Sequence, residues 1–98
     1  MTADETVQAW IEGRTPPVPE GFRPWMTPVN PDASGLVSAL VGEARRSLSE
    51  VRDSDGRARA GAFDLLAADG FVTWACEAAL EEVDPVTSLT GIVDALLE

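Results

Sequence analysis

RARAGAFDLLAADGFVTWACEAALEEV, residues 57–83, is the stretch whose reading decides the fold. Within it Phe63, Leu66, Ala67, Gly70, Phe71, Trp74, Ala75 and Ala78 recur at intervals of three and four. That is the period of one helical face, whereas a half-buried strand would alternate every second residue. A helix of about 27 residues is roughly 40 Å long at 1.5 Å per residue. The spacing predicts a long third helix as the spine of an all-α fold, with Phe63, Leu66, Phe71 and Trp74 turned into the core.

Towards the N-terminus, Leu36, Val37, Leu40, Val41, Ala44, Leu48 and Val51 make a second helical stripe. The corresponding helix runs from Ala33 or Gly35 to Val51 and is roughly 26 Å long. Asp32 or Ser34 can cap it, and Asp53-Ser54-Asp55-Gly56 has the composition of a turn into the third helix. Past Val83, Asp84-Pro85 places an N-cap ahead of a proline at the first helical position. Leu89, Ile92, Val93, Leu96 and Leu97 form the stripe of this fourth helix. At the chain start, Thr2 and Glu5 have capping-box spacing, Val7, Trp10 and Ile11 make a stripe, and Gly13 follows as a C-terminal cap. This predicts a first helix over Ala3–Glu12.

Residues 14–31 differ in kind. Six of the 18 are proline, which lacks an amide donor and fixes φ, so regular structure is limited to a short helical turn around Glu20–Met26. Val18, Phe22, Trp25, Met26 and Val29 make this arm too apolar for a solvated linker. It either covers a groove of its own bundle or contacts another chain. The expected architecture is one domain over 1–98: a bundle of two long antiparallel helices, a C-terminal helix, and a short N-terminal helix joined by the proline-rich arm.

Composition narrows the function. With 98 residues and 45% hydrophobic content the chain supports one modest core. A formal net charge of −10 opposes binding to phosphate backbones and to anionic lipid surfaces. The acidic N-terminus does not fit a secretory signal, and no apolar run approaches the roughly 20 residues of a membrane span, so a cytoplasmic protein is expected. The single cysteine, Cys76, lies among Trp74, Ala75 and Ala78 and reads as a small core residue. With no histidine in the chain, neither an activated thiol nor a helix-borne Glu-x-x-His metal site is spelled out. Asp53-x-Asp55-Gly56 lacks the remaining positions of a calcium loop. Asp53-Ser54 shares two residues with the Asp-Ser-Leu site at which acyl carrier proteins take phosphopantetheine. Asp55 stands where leucine would, and the helix opens on Arg57 and Arg59, so the likeness ends there. Arg14 with Pro16, Pro17 and Pro19 does not have the register of a polyproline ligand.

Charge is unevenly distributed. Arg45, Arg46, Arg52, Arg57 and Arg59 cluster around the turn between the long helices, while eight acids and no base follow from Asp64 onward. The arginines form a candidate anion-binding or ion-pairing cluster. Asp69, Glu77 and Glu81 read as a solvated face. Phe22, Trp25, Met26, Phe71 and Trp74 are the candidate interface, since aromatics and methionine concentrate in contact cores. The resulting expectation is a non-enzymatic interaction module without a cofactor, an adaptor or small regulator. It is expected to be a homodimer, because a 40 Å helix would overhang its 26 Å neighbour and an exposed apolar overhang is unfavourable. One alternative is an acidic inhibitor that masks a basic partner surface. A second is a small-molecule binder with a groove between the third and fourth helices.

Overall fold

The computed structural model of the chain describes residues 3–14, 17–28, 35–53 and 59–97. Its centre is the pair α3 (Leu36–Asp53) and α4 (Arg59–Ala79), the most extensive helix contact in the molecule. Residues 54–58 connect them. A chain that short spans at most about 21 Å, less than the roughly 27 Å length of α3, so the helices run antiparallel.

The pair is close-set because its facing residues are small. Alongside Leu40 and Val41, α3 buries Ala39, Ala44 and Ser47. Around Phe71, α4 buries Gly61, Ala67, Ala68, Ala75, Ala78 and Ala79. Among the described residues Phe71 is the largest side chain buried without residual exposure. This seating corrects one expectation about α4. Leu66 is not in the core but 54% exposed, because α3 lies against the alanine-rich side of α4 and Leu66 falls outside that arc.

The helix lengths also differ from expectation. The long C-terminal partner ends at Ala79 instead of Val83, where Leu80, Glu81 and Glu82 close the last turn with bonds back to Glu77, Ala78 and Ala79. It therefore has 21 residues against 18 in α3, and the large overhang disappears. At the start of α3, Gly35 occupies the cap position with φ +132°, a left-handed conformation suited to glycine, and its carbonyl accepts the Ala39 amide at 2.9 Å. The proposed caps Thr2, Asp32 and Ser34 lie outside the described residues, as does most of the Asp53–Gly56 turn.

Helix α1 (Ala3–Glu12) lies against α3 and buries Val7 and Ile11. It ends in tight three-residue bonds from Gly13 to Trp10 and from Arg14 to Ile11. Gly13 is not in a left-handed conformation, so it does not form the expected glycine cap. The arm supplies one short helical stretch, a 3-10 turn Glu20–Phe22 running into α2 (Arg23–Met26). Helix α5 (Pro85–Leu97) returns along α3 and α4 and buries only Ile92 fully, with Leu89 and Leu96 partly covered. No helix among the described residues is long and apolar enough to cross a membrane.

Asp84 starts α5 as its sequence position implies. Its carboxylate accepts the Thr87 amide at 3.2 Å and the Thr87 hydroxyl at 2.6 Å. The hydroxyl bond, and after it the amide bonds, hold the Asp84 carboxyl below its ordinary value. A carboxyl with a lowered folded pKa stabilises the fold above the unfolded pKa, near 4, and loses that contribution as pH falls through the folded value. Acidification through this window should fray the first turn of α5, with faster exchange of the Thr87 amide. Asp84→Asn should retain most of the cap and Asp84→Ala should not; equal protection in both variants would contradict the capping role. In the core, Phe71→Ala should cost about 3–5 kcal/mol in chemical denaturation, and Leu66→Ala under about 1 kcal/mol.

Candidate protein-interaction surface

The described part of the proline-rich arm, residues 17–28, lies on its own bundle. Trp25 and Phe22 sit against Phe63 of α4, with ring centroids 4.6 and 6.0 Å away, and lie 6.0 Å from each other. Met26 enters a seat made by Gly70, where an added Cβ would stand 2.7 Å from the methionine methyl. On the same side Trp10 meets Trp74 edge-on at 6.5 Å, and Trp74 meets Phe71 at 5.9 Å. The five candidate interface residues are thus brought to one side of the molecule, where the chain itself covers them. Met26 and Phe71 are buried, and Phe22, Trp25 and Trp74 are half-buried against the core.

Arg14 secures this arrangement. Its guanidinium lies 3.9 Å from the Trp10 ring centroid, its Nε donates to the Trp10 carbonyl at 3.2 Å, and its Nη1 is 3.7 Å from Glu77 of α4. The arginine therefore ends α1 and ties it to α4 instead of serving a proline motif.

The arginine cluster is divided. Arg45, Arg46 and Arg52 line an open cleft of about 460 Å³ between α3 and α5. Arg59, at the start of α4, lies 5.6 Å from the Phe63 ring, and Arg57 is outside the described residues. Arg46 is engaged within α3. Its Nε and Nη2 both donate to Oε2 of Glu43 at 2.9 Å, and Glu43 is 1% exposed. Asp69, Glu77 and Glu81 are exposed and do not form a shared site. Among the described residues no three cysteine or carboxylate groups are arranged to hold a metal ion.

What remains exposed is a set of apolar side chains on α4, on α5 and on the turn between them. The large apolar side chains exposed among the described residues are Leu65, Leu66, Leu80, Val83, Val86, Val93 and Leu97. On α5, steps of seven and four residues place Val86, Val93 and Leu97 within an arc of about 40°. On α4, Leu65, half-buried Val72 and Cys76, and Leu80 follow one another at seven, four and four residues. Leu65, Leu66 and Val72 also line an apolar groove with Leu48 of α3. Leu66, Val93 and Leu97 belong to stripes that the sequence reading turns toward the core, while Leu65, Leu80, Val83 and Val86 fall outside those stripes. The face that α5 buries is narrower than its apolar arc.

No family model, curated protein or solved structure matches the chain.

Glu43 and Ser47 were also missed as core positions. The signal was available, since they fall three and seven residues after Leu40 on the same helical face. Removing Arg46 would leave the Glu43 carboxylate buried without its guanidinium. Arg46→Ala should therefore destabilise by about 1.5–3 kcal/mol, the range for hydrogen bonds to charged groups. Arg52→Ala, at an exposed position, should cost under about 0.5 kcal/mol. Denaturation of the two variants side by side checks the difference.

Proposed function

We propose that this chain is a non-enzymatic protein-interaction module, an adaptor or small regulator, that docks its partner on the outer face of α4 and α5. One observation carries this reading: among the described residues, the seven large exposed apolar side chains all lie between Leu65 and Leu97. Isolated exposed apolar residues are ordinary on soluble proteins. A contiguous apolar surface is characteristic of an interaction site.

Homodimerisation through the arm loses its two motives. The arm lies on its own bundle, and α4 exceeds α3 by three residues, 21 against 18. A second copy therefore competes for the outer face with any other protein partner. The small-molecule alternative has less support, because the clefts beside α5 are open and lined largely by small and polar side chains. Small-molecule pockets enclose most of their ligand in apolar walls.

A photocrosslinking amino acid placed at Leu80 or Val93 in producing cells should give protein adducts of discrete mass. The same group at Glu20, exposed on the arm, should not. Adducts at Glu20 alone, or at none of the three positions, would remove the outer face as the docking surface.

A further inference from the structure

Resting on that reading, we infer that the occupant of the α4–α5 face is an amphipathic helix from another protein, with basic side chains flanking its apolar stripe. The shape of the face supports a helix. The α4 stripe of Leu65, Val72, Cys76 and Leu80 and the α5 stripe of Val86, Val93 and Leu97 belong to two packed helices joined by a short turn. A third helix laid along two packed helices would read their stripes with its own side chains at i, i+3 or i+4, and i+7. The 13 residues of α5 span about 20 Å, enough for roughly three to four turns of a docked helix.

Charge selects among possible helices. Between Ala60 and Glu98 the chain carries eight acids and no base. Asp69, Glu81, Glu82 and Asp94 are exposed on the two helices and the turn that carry the apolar stripes. Lysines or arginines beside the partner's stripe would meet carboxylates there, fixing orientation and accelerating encounter while apolar burial supplies most of the affinity. A symmetric pairing of this face with a second copy would set acid against acid, because neither α5 nor α4 beyond Arg59 carries a base and the arginines nearest α5 line the cleft on its α3 side. An anionic membrane surface would be repelled for the same reason.

The test uses the full chain and three designed peptides, each about 18 residues long so as to form about five turns. One has leucines at helical spacing and lysines elsewhere. One has the same leucines with glutamates. The third is the leucine–lysine composition scrambled to remove the stripe. The patterned leucine–lysine peptide should bind and become helical, with NMR shifts confined to α4 and α5. Its affinity should fall at least tenfold between low salt and half-molar salt, as charge screening requires. Leu80→Ser combined with Val93→Ser, both exposed positions, should weaken binding at least tenfold without altering the helical circular dichroism. Asp94→Asn with Glu82→Gln should reduce the salt dependence. Equal binding of the glutamate peptide or the scrambled peptide would overturn the proposed chemistry. So would a sedimenting dimer dissolved by the Leu80 and Val93 substitutions, which would make a second copy the occupant. Failure of the lysine peptide while the Leu80 and Val93 crosslinks persist would reject the basic helix and leave the docking face standing.

Discussion

The close seating of α3 on α4 is the constraint from which the rest of the molecule follows. Small residues on both faces bring the helices together and leave space between them for few large side chains, chiefly Phe71 and Leu40. The other aromatic residues are consequently displaced to the edges of the pair. Phe63 and Trp74 lie outside the fully buried arc of α4, and they stay half-buried even with a further layer of side chains packed on them.

The arm provides that layer despite its unsuitability for regular structure. Pro24 can enter the first turn of α2 because its missing amide donor is not required there. The following Trp25 and Met26 then reach Phe63 and Gly70. Gly70 serves this contact by lacking a side chain, although glycine is otherwise unfavourable in a helix interior by about 1 kcal/mol relative to alanine. On the same face of α3 as Leu40 and Ser47, Glu43 is buried and held by Arg46 from the next turn of the same helix. Such a pair is weak evidence for net stability, because desolvation offsets most of its attraction. Because both partners belong to α3, the pair holds through any rotation of the helix; what it does is keep the buried carboxylate matched to a guanidinium.

Helix number and order were legible because each helix carries its own three-and-four periodicity and its own punctuation. Ala3–Glu12 and the short helical turn within Glu20–Met26 were placed closely, and Asp84-Pro85 marked the start of α5. Rotation about the helix axes was less legible. The stripe through Phe63 and Leu66 weighted large residues, whereas α3 chose the alanine side, so Leu66 was misplaced and Glu43 and Ser47 were overlooked. The end of α4 was set too late, at Val83 instead of Ala79, because no helix-breaking residue precedes Asp84-Pro85. Whether the arm served its own bundle or another chain could not be read from its composition, since both outcomes require the same apolar residues. Gly70 was the missing clue: opposite a long methionine, a glycine in a helix stripe marks a close approach.

The same rotation explains why the open surface lies where it does. With α3 on the alanine side of α4 and the arm on the Phe63 side, only α5 is left to cover the remaining flank. It has a single fully buried residue, Ile92, and turns Val86, Val93 and Leu97 outward. Gly42 of α3 and Gly91 of α5 line the cleft between their helices, and neither would meet another atom within 4 Å if given a Cβ. The α3–α5 seam is thus underfilled while the outer side of α5 is apolar. A helix selected only to close its own core would have those properties exchanged, with bulk in the seam and polar residues outside. Their present distribution, inside the segment where every charge is negative, is what supports the proposed role in binding another protein.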